Sequence, residues 1–64
     1  MHQDHAELSS VAHTLDELTT RVTATADRAQ ARNDEVLAAD LYEVERALRA
    51  ADRRLRSTVT RLTD

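Results

Sequence analysis

The sequence predicts an all-α protein: a two-helix antiparallel coiled-coil hairpin that dimerises into a four-helix bundle. Apolar residues recur at alternating steps of three and four in both halves of the 64-residue chain, as the core positions of a heptad repeat do. The repeat loses its phase near Asn33, which indicates a turn. Each half runs from acidic to basic, which suits two helices lying antiparallel. The whole chain is therefore expected to form one domain.

The first helix is expected over about residues 3–31. Its apolar stripe begins at Leu8 and ends at Ala29. The chain contains no Gly and no Pro, so no residue of this segment strongly opposes helix formation. The predicted core of the hairpin on this helix consists of Leu8, Val11, Leu15, Leu18 and Val22.

The turn is expected at about residues 32–34. The twelve residues from Thr25 to Leu37 do not complete two heptads, so a single helix would not keep its apolar face aligned. Asn33 tolerates the left-handed backbone that ends helices, and Asn33 or Asp34 can cap the helix that follows. The alternative is a swapped dimer of two unbroken antiparallel helices, roughly 95 Å long against about 45 Å for a hairpin.

The second helix is expected over about residues 35–63. Folding the chain back at Asn33 sets its apolar stripe opposite the first one, in layers such as Leu18–Leu48. The two residue numbers in every layer sum to 66, which is the relation that an antiparallel hairpin requires. The predicted core on this helix consists of Leu37, Leu41, Val44, Leu48 and Leu55.

A two-helix hairpin covers each core layer on two sides only, so association is expected to complete its core. One flank of the stripes is small and mostly uncharged, which lets another helix approach closely. Tyr42, the only aromatic residue, is a candidate interface anchor. The predicted dimer or partner interface consists of Ala12, Thr19, Ala26, Ala38, Tyr42 and Val59. The alternative is that the small residues are only good helix formers at the surface.

A ridge of four Arg side chains follows the outer face of the second helix and consists of Arg46, Arg49, Arg53 and Arg56. Arg binds carboxylates and phosphates in a bidentate manner, so the ridge could dock an acidic protein, RNA or DNA. Two of the four Arg follow an acidic residue by four positions, which partly neutralises them. No aromatic residue interleaves for base stacking. We therefore favour a solvated helix face over an anion-binding one.

Composition argues against catalysis. The absence of Cys and Gly excludes thiolate metal sites and glycine-rich phosphate loops. Of the residues near the start of the chain, His2, Asp4, His5 and His13 do not make a rigid ligand set. No Ser lies in a convincing His–Asp relay, and so small a chain cannot enclose a pocket unaided. We expect no enzyme activity, no metal and no cofactor.

The sequence thus favours a non-catalytic protein–protein interaction module, such as an adaptor, accessory subunit or regulator, that acts through helix packing and self-association. Its expected partner is a second copy of the chain, a helical protein, or both. The alternative is a small RNA- or DNA-binding regulator that uses the Arg ridge, although a net charge of -3 argues mildly against it. No long apolar run predicts a membrane segment, and the Arg-only, Ala-rich composition suggests a cytoplasmic bacterial protein.

Overall fold

The computed structural model describes residues 3–62, and these form two helices without any strand. Helix α1 spans Asp4–Ala31 and helix α2 spans Glu35–Leu62. The helices pack against each other along their length as an antiparallel hairpin. Its principal extents are 49 × 14 × 10 Å. The two helices expected from the heptad periodicity are therefore present, and the single chain folds back on itself.

Hydrogen bonds at the end of α1 build the turn. Asn33 has a φ of 66°, the left-handed conformation that Asn accepts more readily than most residues. The Asp34 amide donates to the carbonyl of Ala29 at 2.9 Å, and the Asn33 amide donates to that of Gln30 at 3.1 Å. This pair of bonds is a Schellman motif. The Asp34 side chain then caps α2, because its Oδ1 accepts a hydrogen bond from the Leu37 amide at 3.3 Å.

Small residues line the surface where the two helices meet, which we call the seam. Ala26 and Ala29 are fully buried, and Ala12, Ala38 and Thr19 are at most 5% exposed. Among the described residues, no large side chain is fully buried. The buried and half-buried residues of the seam are His5, Leu8, Ala12, Leu15, Thr19, Val22, Ala26 and Ala29 on α1, and Ala38, Leu41, Glu45, Leu48, Asp52, Leu55, Val59 and Leu62 on α2.

The seam differs from the core predicted for the hairpin because each helix is turned about its own axis relative to that prediction, so that a neighbouring face meets the other helix. Val11 and Leu18 of α1 are 43% and 44% exposed, and Val44 of α2 is 43% exposed, so their assignment to the contact between the two helices is corrected. The other seven predicted core residues are half-buried. Small side chains let two helix axes approach closely and gain dispersion contacts along their backbones. The helices therefore meet on their Ala- and Thr-rich side.

Candidate functional site

The seam divides the hairpin into two long edges of opposite chemistry. Successive residues of a helix point about 100° apart, so Asp16 and Asp27 lie on one side of α1 while Val11 and Leu18 lie on the other. The antiparallel arrangement continues both sides onto α2. We call the first side the polar edge, which consists of Asp16, Thr23, Asp27, Tyr42, Glu45 and Arg56. We call the second side the apolar edge, which consists of Val11, Leu18, Leu37 and Val44.

Hydrogen bonds join the two helices across the polar edge. Nη2 of Arg56 donates to Oδ2 of Asp16 at 2.7 Å, and its Nε donates to Oδ2 of Asp52 at 3.0 Å. The Thr23 hydroxyl donates to Oε2 of Glu45 at 2.6 Å. The side chains of Glu45 and Asp52 are only 17% and 16% exposed. Sequence reasoning missed both as seam residues, although their regular spacing with Ala38 and Val59 was visible.

The carboxylates of this edge change the acidity of their neighbours. Tyr42 donates its phenolic hydrogen to Oδ1 of Asp27 at 2.6 Å, and this bond raises the pKa of Tyr42 above its ordinary 10.0, with partial burial adding to the effect. The hydrogen bond from Thr23, followed by that from Arg49, lowers the pKa of Glu45. The polar edge thus holds the phenol protonated and the glutamate ionised, which are the forms that its hydrogen bonds need.

The Arg ridge is largely neutralised by its own chain. Arg46 and Arg49 each bond a carboxylate one turn earlier on α2, and Arg56 bonds two carboxylates. The hydrogen bond to Asp52 raises the pKa of Arg56 further, with the charge of Asp16 next in effect. Only Arg53 among the four has no ion pair within residues 3–62. A phosphate docking here would compete with carboxylates already in place.

The apolar edge has no such internal partners. Val11, Leu18 and Val44 stand more than 40% exposed, and Leu37 beside the turn is half-buried. A shallow groove on α1 runs along this edge and has Val11, Leu15 and Leu18 among its lining residues. Single exposed apolar residues are ordinary on a protein surface, but an uncovered apolar row along one edge is a candidate for an interaction site.

Charged residues border the apolar edge on both helices, and we call these borders the rims. The rim of α1 consists of Glu7, Thr14, Arg21 and Arg28, and the rim of α2 consists of Asp40, Ala47, Arg54 and Arg61. All eight residues are exposed. Arg28 and Arg61 donate to the Thr three residues earlier at 3.1 and 3.3 Å, but no charged rim residue forms an ion pair within the described part of the chain.

The residues predicted as the dimer interface mostly lie in the seam. The buried members are Ala12, Thr19, Ala26 and Ala38. Val59 is half-buried in the seam, and Tyr42 bonds Asp27 on the polar edge. The four buried residues cannot contact a second chain in this hairpin, and that expectation is corrected. Small residues do mark a close helix contact, as the sequence indicated, but the approaching helix is the chain's own.

Other kinds of site find little support in the part of the chain that the structure describes. No three His, Cys, Asp or Glu side chains there form a group that could hold a metal ion, and His2 lies outside that part. Neither α1 nor α2 has an apolar stretch long enough to cross a membrane. Comparisons with protein-family models, curated proteins and solved structures give no match. Function must therefore be inferred from the two edges.

Proposed function

We propose that this chain is a non-catalytic protein–protein interaction module that self-associates through its apolar edge, so that two hairpins form a four-helix bundle. The carrying observation is the row formed by Val11, Leu18 and Val44, which the hairpin leaves more than 40% exposed. Bundles of this kind pack such residues from facing helices into one core. In the cell the bundle would act as an adaptor, accessory subunit or regulator that presents helix surfaces to other proteins.

The exposed area supports a second copy as the occupant of this edge. The hairpin exposes 4888 Å², whereas a compact monomer of 7.2 kDa is expected to expose about 4,100 Å². The excess of roughly 800 Å² equals the area that each partner contributes to an interface of standard size. A dimer through the apolar edge would thus bury surface area that so short a chain leaves exposed as a monomer.

The direction of the apolar stripe supports the bundle as well. At 100° per residue, the apolar stripe of the heptad repeat points about 50° away from the seam on each helix. On both helices it points towards the apolar edge. A helix in a square bundle has two neighbours, and its core direction lies midway between them, about 45° from each. The stripe that sequence reasoning assigned to the hairpin contact therefore has the direction expected for the axis of a four-helix bundle.

Sedimentation equilibrium of the wild-type chain tests the proposal directly, with a dimer as the expected species. Leu18→Gln and Val44→Gln should each raise the dimer dissociation constant by about tenfold or more, because each removes apolar burial twice per dimer. Far-UV circular dichroism should show that both variants remain helical. A wild-type chain that sediments as a monomer at all accessible concentrations would overturn the proposal.

The matched control is Ala39→Gln. This residue is exposed on α2 and points away from the apolar edge at the 100° helical step. It adds the same amide side chain to α2, the helix that carries Val44. Because the change lies away from the apolar edge, it should leave the dissociation constant unchanged. An equal loss of dimer in the control would show that the glutamine, not the edge, is responsible.

The alternative function, binding of RNA or DNA by the Arg ridge, can be tested with the same protein. Three of the four ridge Arg already bond carboxylates, and no observation on the structure favours it further. A salt-dependent mobility shift of RNA or DNA that Arg49→Glu and Arg53→Glu abolish, together with a monomeric protein, would replace the present proposal with that one.

A further inference from the structure

An open cleft between the two helices lies on the polar edge, beside the bond between Asp16 and Arg56. Its volume of about 290 Å³ is just below the range of about 300–1,000 Å³ for pockets that hold drug-sized ligands, so it suits a smaller molecule. The apolar edge lies on the other side of the seam, so self-association there leaves the cleft uncovered. The residues that line the cleft are Asp16, Thr19 and Thr20 on α1 and Arg49, Asp52 and Arg53 on α2.

The α1 wall of the cleft consists of hydrogen-bond acceptors. The Thr19 hydroxyl donates to the carbonyl of Leu15 at 2.7 Å, and the Thr20 hydroxyl donates to that of Asp16 at 3.1 Å. A hydroxyl has one hydrogen, so each of these Thr oxygens can only accept a bond from a ligand. The Asp16 carboxylate bonds Arg56 through Oδ2, which leaves its Oδ1 as a further acceptor. A ligand must therefore present hydrogen-bond donors to this wall.

Asp52 strengthens the preference of the cleft for a cationic donor. Its Oδ2 accepts a hydrogen bond from Nε of Arg56 at 3.0 Å, but its Oδ1 is buried and has no hydrogen-bond partner among residues 3–62. Buried polar atoms are normally paired, and an unpaired carboxylate oxygen leaves a negative potential that a nearby cation would offset. An ammonium group in the cleft would supply that positive charge and also donate to the α1 wall.

The α2 wall of the cleft supplies hydrogen-bond donors instead. Arg53 has no ion pair within the described part of the chain, and its guanidinium group can bind a carboxylate through two parallel N–H···O bonds. Arg49 donates Nε and Nη2 to Oε2 of Glu45, which leaves its Nη1 for another acceptor. A ligand must therefore present an acceptor to this wall, and an anionic acceptor bonds Arg most strongly.

The ionised groups in and around the cleft cancel in charge. The carboxylates are Asp16, Glu45 and Asp52, and the guanidinium groups are Arg49, Arg53 and Arg56. A ligand of one sign would therefore meet no overall opposite charge, whereas a ligand that carries both signs would meet the opposite sign on each wall. At neutral pH a free α-amino acid carries an ammonium group and a carboxylate on one carbon atom.

We propose that this cleft binds a small zwitterion, of which a free α-amino acid is the simplest kind. The ammonium group donates to the α1 wall, at the Thr20 hydroxyl oxygen and Oδ1 of Asp16. The carboxylate accepts hydrogen bonds from Arg53 on the α2 wall. Because the ligand contacts both helices, it binds the closed hairpin and stabilises it.

An NMR titration with glycine, at neutral pH and constant ionic strength, tests this site. The amide signals of Thr20 and Arg53 should shift and reach saturation. Acetate and methylammonium each keep one half of the zwitterion, so each should bind with a dissociation constant about tenfold or more above that of glycine. Acetate that binds as tightly as glycine would make the cleft a plain anion site, and the absence of any saturable shift with glycine would leave no site at all. Either result overturns the proposal.

Two variants remove one contact from each wall. Arg53→Gln should raise the dissociation constant for glycine by about tenfold, because the charged bidentate contact is lost. Thr20→Val keeps the shape of the side chain but removes the accepting oxygen, and it should raise the constant by about threefold. Both residues are exposed, so far-UV circular dichroism should show that both variants remain helical.

The matched control is Arg46→Gln, which removes the same charge from α2 one heptad earlier. Arg46 bonds Glu43 and does not line the cleft, so the binding of glycine should be unchanged. A loss in this control as large as that in Arg53→Gln would trace the binding to general charge and would overturn the site. A wild-type chain that is monomeric but binds glycine as described would contradict the self-association proposed above and would support the cleft.

Discussion

The polar and apolar edges lie on the same two helices, yet they differ in whether their side chains find partners within the hairpin. On the polar edge, Arg56 and Glu45 find partners on α1 within the same chain. On the apolar edge, Leu18 and Val44 remain over 40% exposed, and the charges beside them have no ion pair among residues 3–62. The difference teaches that the polar edge supports the hairpin from within, whereas the apolar edge is left uncovered and is the surface that we propose for self-association.

The seam keeps the two edges in place, and the largest expected effect comes from forcing it open. Ala26 is fully buried, so Ala26→Leu inserts a side chain where the helices touch. Overpacking of this kind costs about 1–3 kcal/mol. The free energy of unfolding, measured by urea titration, should fall by that amount, and both edges should lose their geometry together.

Ala31→Leu is the control for this change. Ala31 ends α1 and is exposed, so the same substitution there adds volume without entering the seam. Its effect on the free energy of unfolding should stay within about 0.5 kcal/mol, as for most surface changes. If Ala26→Leu lowered the free energy of unfolding no more than Ala31→Leu does, the helices would not meet on their Ala-rich side.

Lowering the pH should weaken the hydrogen bonds of the polar edge before it affects the apolar edge. The pKa of Glu45 is lowered in the folded chain from 4.5, first by the hydrogen bond from Thr23 and then by Arg49. A group whose pKa is lowered on folding stabilises the fold above its unfolded pKa, and this contribution disappears as the pH falls through the folded value. Thermal melts should therefore show Glu45→Gln to be less stable than wild type at neutral pH, and the difference should narrow below pH 4.5.

Glu43→Gln separates this effect from a general loss of negative charge. Glu43 bonds Arg46 on its own helix and is exposed, so it makes no contact that holds α1 against α2. Its removal should change the melting temperature less than Glu45→Gln does at neutral pH. Equal effects of the two variants would show that the hydrogen bond between Thr23 and Glu45 does not support the hairpin.

The sequence was sufficient to predict the helices and the turn because those depend on local signals. The phase slip, the left-handed tolerance of Asn33 and the capping oxygen of Asp34 all act within a few residues. The structure shows both residues in these roles. Such features can be inferred from one chain because no distant contact competes with them.

The seam was predicted less well because periodicity reports the centre of an apolar face, not the neighbour that it meets. Val11 and Ala12 lie 100° apart on the same helix, and either can face a partner. The preference for Ala12 depends on how closely the axes approach, and that distance depends on Ala26 and Ala38 as well. Glu45 was not among the residues predicted for either contact, yet it lies in the seam, where Thr23 and Arg49 donate hydrogen bonds to it.

The smallest expected effect concerns the hydroxyl of Tyr42 on the polar edge. Its hydrogen bond to Asp27 raises its pKa above 10.0, because ionising the phenol would place a negative charge beside a carboxylate that can no longer accept its hydrogen. A pKa raised on folding means that the contribution of this bond persists below pH 10 and disappears as the pH rises through the folded value. The chain has one Tyr and no Trp, so absorbance at the phenolate band reports this residue alone.

Two titrations then decide whether the polar edge holds Tyr42 as described. In the folded wild-type chain the midpoint should lie above 10.0, and unfolding in urea should return it towards that value. Asp27→Asn should also lower the midpoint while keeping the fold, since an amide removes the charge but can still accept the hydrogen bond. The same midpoint in wild type and Asp27→Asn would mean that the phenol does not meet Asp27. The polar edge would then be held by its ion pairs and by Thr23, without Tyr42.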